Sequence, residues 1–248
     1  MEHLVRHAVT AIRERYAEPL SLDELAQSAM VSKYYFLRVF SQVTGVTPGR
    51  FLTAVRLQEA KRLLLSTSLN VADISARVGY SSTGSFTRRF TESVGLPPTQ
   101  YRKLSLSACD EAPEPARPDT AASPDPTARQ ADPAPTGSVT GILRTPGPVG
   151  SPVYIGSFDS PILQGTPASW SNVSAPGRFT LTGIPTGTWY IHAVAQADHT
   201  PLTATVGPVC VEGARKHALD ITLAPMDWTR PPILSALTGL NPPLALAS

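Results

Sequence analysis

Cysteine is almost missing from this chain: 248 residues hold two, Cys109 and Cys210. That excludes a small secreted fold framed by disulfides and fits a reducing compartment. Long apolar runs are missing as well. None approaches the roughly 20 residues of a membrane-spanning helix, and no charged-then-apolar leader opens the sequence. A cytoplasmic protein with no membrane attachment is expected. Catalytic signatures are equally scarce, with no Gly-x-Ser-x-Gly, His-Glu-x-x-His, Walker or dinucleotide motif. Neither an enzyme nor a cofactor is expected. His192, His199 and His217 lack the close pairing of a zinc site, so no metal is expected either.

What is present is unevenly distributed. Residues 1–107 carry 14 Lys and Arg against 8 Asp and Glu, a net of +6, whereas residues 108–137 carry 2 against 6, a net of −4. The remaining residues balance at 5 against 5, so the whole-chain charge of +2 conceals a basic module followed by an acidic stretch. That arrangement fits a polyanion-binding domain with a separate second function.

The basic module is built on an internal repeat. "SKYYFLRVFSQVTGVTPGRF" (32–51) lies on "STGSFTRRFTESVGLPPTQY" (82–101), pairing Ser32 with Ser82, Gly45 with Gly95, Pro48 with Pro98 and Phe51 with Tyr101. Two copies are too few for a solenoid and indicate a duplicated supersecondary unit. Apolar residues in residues 1–107 recur at helical spacing, and the four prolines fall where helices begin or end. The expected helices run from Leu4 to Tyr16, from Ser21 to Ala29 with a Ser21/Glu24 capping box, from Ser32 to Gly45, from Pro48 to Leu65, from Val71 to Val78, from Ser82 to Val94 and from Pro98 to Lys103. Each half reads as short helix, tight turn, second helix. That is a helix-turn-helix, whose second helix can lie in a major groove. Phe36 and Phe40, like Phe86 and Phe90, sit four apart and turn inward. The intervening arginines then face out.

In its order of residues, "LDELAQSAMVSKYYFLRVFSQVTGVTPGRFLTAVRLQEAKRLLLSTSLNVADISARVGYSSTGSFTRRFTESVGLPPTQYR" resembles the AraC/XylS group of bacterial transcription regulators, over about residues 4–104. The resemblance implies a bipartite domain of seven helices that contacts double-stranded DNA through two major grooves, with RNA polymerase as a further partner. Carried over by position, the groove-facing residues are Tyr34, Leu37 and Arg38 in the first unit and Thr83, Gly84, Ser85 and Arg88 in the second. Leu37 can touch only a thymine methyl, and Gly84 has no side chain to read with. Arg38 and Arg88 are therefore the candidates for guanine contacts, with phosphate contact as the alternative. A DNA-repair enzyme fused to such a domain is a competing reading, but its acceptor cysteine would have to be Cys109, in the spacer. A non-specific architectural DNA binder is another.

Residues 108–137 hold 8 Ala and 7 Pro without a single aromatic or large aliphatic residue. They read as a disordered spacer. From Ser138 the vocabulary turns to strands: "SVTGIL", "SPVYIGSF", "GRFTLTGIPTGTWYIHAVA" and "ALDITLAP". Phe179 with Leu181, and Trp189 with Ile191, alternate on either side of a Gly-Pro-Gly turn, as two antiparallel strands with one buried face would. The region resembles the small transthyretin-like or carboxypeptidase regulatory-like sandwich. That resemblance implies a structural or interaction role: self-association, partner docking or ligand sensing. Trp170, Trp189 and Trp228 are expected in packing rather than in a sugar pocket, and Cys210 as a buried small hydrophobe. The fold class expected is thus multidomain: an all-α bipartite helix-turn-helix domain (1–107), the linker (108–137), a small all-β antiparallel sandwich (138–225) and a proline-rich tail (226–248).

Overall fold

The protein is described by a computed structural model over residues 2–107, 135–149, 152–197 and 200–236. The expected disordered spacer falls almost wholly on residues 108–134, outside the described residues, as do Cys109, His199 and the tail beyond Ala236. The chain divides into two compact units. The first joins the residues up to Ser105 with Ser160–Thr166 and Pro225–Ala236, and the second takes the described residues to Asp159 and Pro167–Ala224. This differs from the boundaries read from composition, which left residues 160–166 in the second domain and made residues 226–236 part of a separate tail. The reason is burial: Ile162 and Leu234 belong to the helical core, and Trp228 packs against it.

Seven helices build the described part of the first unit: α1 (Glu2–Glu14), α2 (Leu22–Ser28), α3 (Lys33–Thr44), α4 (Pro48–Ser66), α5 (Val71–Arg77), α6 (Thr83–Val94) and α7 (Pro98–Ser107). Local chemistry sets their ends. Ser21 caps α2 in a reciprocal capping box with Glu24, whose carboxyl is held below its ordinary range by the bonds it accepts from Ser21. Ser32, Thr47, Asn70 and Ser82 each accept a backbone N–H three residues on. Gly45 and Gly95 end α3 and α6 in the left-handed conformation.

The core is aromatic and repeats itself. Phe36 meets Phe40 at 5.7 Å and Phe40 meets Phe51 edge-on at 5.7 Å; Phe86 meets Phe90 at 5.6 Å and Phe90 meets Tyr101 at 5.7 Å. The expected apolar stripe on α4 proves broader, because Ala54 and Lys61 are buried beside Phe51, Val55, Leu57, Ala60, Leu63 and Leu64. A helix covered on most sides is a central one. Two arginines lock loops onto this frame. Arg56 donates to the carbonyls of Tyr16 and Glu18 at 2.7 and 2.8 Å, and Arg102 donates to those of Leu64 and Leu69.

In the second unit the described strands are β1 (Thr136–Arg144), β2 (Val153–Phe158), β3 (Ser169–Val173), β4 (Gly177–Pro185), β5 (Gly187–Ala197), β6 (Thr200–Val211), β7 (Lys216–Ala218), β8 (Ile221–Thr222) and β9 (Ala224–Pro225). One sheet runs β4-β1-β7 with β8 also on β1, and the other runs β3-β2-β5-β6-β9. Val139, Leu143, Phe179, Leu181 and Ile221 from the first sheet share one apolar cluster with Val153, Ile155, Ile191, Ala193 and Leu202 from the second.

Three expectations fail here. The pairing is not wholly antiparallel: β7 and β8 run parallel to β1, because the chain reaches them by crossing from the other sheet rather than through a hairpin. β4 and β5 are not partners within one sheet. A single residue, Thr186, separates them, and Gly187 at φ +149° lets the chain leave one sheet and enter the other. Cys210 is exposed, since Val211 takes the inward position on β6. Of the tryptophans, Trp170 is 43% exposed and stacks on Tyr154, while Trp189 is half-buried with its Nε1 donating to the Pro185 carbonyl.

Candidate nucleic-acid interface

The expected groove-facing residues lie on α3 and α6, and each helix holds its own group. On α3, Tyr34, Leu37 and Arg38 are spaced i, i+3 and i+4 and share a face opposite buried Phe36, Val39 and Phe40. Tyr34 is 78% exposed, Arg38 is exposed and Leu37 is half-buried. The Arg38 guanidinium lies 5.5 Å from the ring of Tyr35, which supports the side chain without consuming its donors. Lys33, at the start of α3, pairs with Asp23 of α2 at 2.9 Å, an exposed link between the two helices.

On α6, Thr83, Gly84, Ser85 and Arg88 are all exposed, opposite buried Phe86 and Phe90. Side chains already spoken for limit what some of them can do. The Thr83 hydroxyl lies 3.3 Å from that of Ser75 on α5, and the Ser85 hydroxyl accepts from Ser82. Space around Gly84 is open, with nothing within 4 Å of where a Cβ would stand. Arg88 pairs with Glu92 at 3.1 Å across one turn, both side chains being more than half exposed. Such a pair contributes about 0.3–0.5 kcal/mol and yields readily to a better acceptor.

Sequence reasoning overlooked the two residues that pre-position this face, Ser82 for Ser85 and Glu92 for Arg88. The i, i+4 spacing of Arg88 and Glu92 was a usable signal. Not every cation behind the net charge of the basic module faces outward: Arg56 and Arg102 hold carbonyls, and Lys61 is buried. No cluster of His, Cys, Asp or Glu suited to a metal occurs among the described residues, and none of their helices is long and apolar enough to cross a membrane.

Residues 25–104 match the family model described as a helix-turn-helix domain. Over 96 residues the chain is 41% identical to an uncharacterized HTH-type transcriptional regulator of Haemophilus influenzae, covering 39% of this chain and 32% of that protein. Over 98 residues it is 30% identical to the lactose operon transcription activator of Staphylococcus xylosus, covering 40% and 35% respectively. The C-terminal domain of AraT, a response regulator from Geobacillus stearothermophilus, is 34% identical over 41% of this chain and 84% of that one, with a TM-score of 0.40. The chain thus spans about a third of the length of the curated relatives it matches. Residues 25–104 are a helix-turn-helix domain, and homologues of this part of the chain are named regulators and activators of transcription.

Proposed function

We propose that this protein is a sequence-specific, DNA-binding transcription regulator that presents α3 and α6 to successive major grooves of double-stranded DNA. The observation that carries the reading is the duplicated helix-turn-helix, with an exposed arginine on each second helix and one rigid helix between the copies. At 1.5 Å per residue the 19 residues of α4 span about 29 Å. That length is close to the roughly 34 Å between successive turns of a groove. In this reading Tyr34, Leu37 and Arg38 meet one half-site and Thr83, Gly84, Ser85 and Arg88 the other. The second unit is a small sandwich of the transthyretin-like or regulatory-like kind, serving self-association, partner docking or ligand sensing, and RNA polymerase is a further partner. The protein is cytoplasmic and not an enzyme.

The test is selection of bound duplexes from a random pool, followed by footprinting of wild type, Arg38→Ala and Arg88→Ala on the selected site. Protection lost in a different groove for each variant supports the reading. Failure to enrich any sequence would replace it with non-specific architectural binding.

A further inference from the structure

The two segments that join the helical unit from far along the chain meet each other and then α6. Leu234 and Ser235 donate their N–H groups to the Leu163 carbonyl at 2.9 and 3.2 Å, and the Ser235 hydroxyl donates to the Gly165 carbonyl at 2.9 Å. Apolar contact seats them: Ile162 and Leu234 are 2% and 0% exposed in the helical core, and Trp228 lies 4.5 Å beneath the Arg6 guanidinium. Cations reach up from the helices. Arg50 donates to the Ser160 hydroxyl at 2.9 Å, and the Lys61 ammonium donates to the carbonyls of Ile233 and Leu234 at 3.2 and 3.0 Å.

Both segments end on the same feature. An α-helix leaves its last four carbonyls without partners inside the helix. At the end of α6, Gly165 donates to the Ser93 carbonyl and Ala236 to that of Val94. Gly165 sits at φ +71°, and a Cβ there would stand 3.2 Å from the Glu92 carbonyl oxygen, so the close approach requires glycine. Both helices share a local glycine cap, Gly45 donating to Ser41 and Gly95 to Thr91, but beyond it α3 is finished from within, the Thr44 hydroxyl donating to the carbonyls of Phe40 and Val46, whereas α6 takes its further donors from the brace.

We propose that residues 160–166 and 225–236 are a coupling brace through which the second unit addresses α6 but not α3. The chain leaves the brace at Thr166, runs through β3 to β8, and returns to it at Pro225. A ligand or partner that displaces either end of that excursion releases the carbonyl end of α6 and leaves α3 in place. The regulatory consequence rests on the reading of α6 as a DNA-contacting helix. The brace itself does not.

Hydrogen–deuterium exchange on the full-length chain tests it. Leu234→Ala, which loosens the brace directly, should raise exchange across residues 90–96 about tenfold or more while residues 40–46 stay nearly unchanged, as local opening confined to one foldon would. Leu181→Ala, in the apolar cluster of the second unit, should raise exchange at residues 90–96 in the same selective way. Equal acceleration at both helix ends, or no change at residues 90–96 in Leu181→Ala, overturns the coupling. Should Leu234→Ala fail to fold, Gly165→Ala supplies a milder loosening read by the same peptides. DNA selected by the wild-type protein then separates the two claims. If the wild type selects no sequence, the regulator reading falls and the exchange result still judges the brace. If it selects one, the loosened variants should lose protection at the α6 half-site first, and uniform loss at both half-sites counts against the brace.

Discussion

The two helix-turn-helix halves differ least where they are buried and most at their edges. Each buries two phenylalanines on its second helix against a third ring, Phe51 or Tyr101, at nearly equal centroid distances, and each ends that helix in a left-handed glycine. The turns diverge: four residues separate α2 from α3, five separate α5 from α6. Two residues past the first helix, Met30 holds φ +53° where the second half has Gly79 at φ +83°. The outer ends diverge further: beyond the shared glycine cap, α3 is finished by Thr44 and α6 by the distant residues Gly165 and Ala236. A duplicated core keeps its packing because ring geometry admits few alternatives. Its edges follow their neighbours, and the neighbours are not duplicated.

That contrast can be broken or sharpened experimentally. Phe40→Ala and Phe90→Ala, at fully buried and equivalent positions, should each lower stability by about 3–5 kcal/mol in urea denaturation. Losses differing by more than about twofold would show that the halves do not share one packing plan. Leu234→Ala should cost about 2–5 kcal/mol, registered in the helical circular dichroism signal although the residue lies beyond both halves in sequence. An unchanged helical melt would mean that α6 needs no distant support. Arg38→Ala and Arg88→Ala should each lose about 1–3 kcal/mol of affinity at the selected site. The Arg88 loss should be partly offset in a Glu92→Gln background, where the arginine's pairing carboxylate is already gone.

Acidity probes the brace more gently. Burial lowers the Lys61 ammonium from its ordinary value to about 8. The unfolded chain therefore binds this proton more tightly than the folded one between about pH 8 and pH 10.5, and stability conferred at this site rises with pH across that window. Relative to Lys61→Met, the wild type should gain at most about 1.4 kcal/mol per pH unit there and nothing below pH 7. A flat difference would place the ammonium in solvent. The smallest effect belongs to the turns: Met30→Gly should stabilise by about 0.5–1 kcal/mol by relieving a left-handed methionine. Gly79→Ala should destabilise, since its Cβ would meet the Ala17 carbonyl oxygen at 2.6 Å.

The helical half of the fold was legible because its signals are local. Ser21 with Glu24, Ser32, Ser82, Pro48 and the two glycines mark helix ends through bonds spanning three or four residues, and the expected helices lie within a few residues of those observed. The positions of Tyr34, Arg38 and Arg88 on exposed faces followed from the inward phenylalanines. What stayed hidden depends on long-range pairing. Nothing near Phe179 and Ile191 says that their strands join different sheets, and nothing near residues 212–222 announces parallel partners for β1. The destination of Ile162, Trp228 and Leu234 was equally invisible. Apolar residues in a proline-rich stretch declare that they need cover without naming the surface that provides it.

Lys61, Ser93 and Val94 acquire their partners from residues 165 and 233–236, and this orders events during synthesis. Domains generally fold as they leave the ribosome, at about 5–20 residues per second, so the helices up to Ser107 emerge roughly 6–25 seconds before Leu234. Until Gly165 emerges the nascent chain carries Arg88 on a helix whose end is held by Gly95 alone. A ribosome halted before Gly165 leaves the Ser93 and Val94 carbonyls without the donors of the finished chain and the end of α6 held by Gly95 alone, so translation itself sets when that end becomes firm.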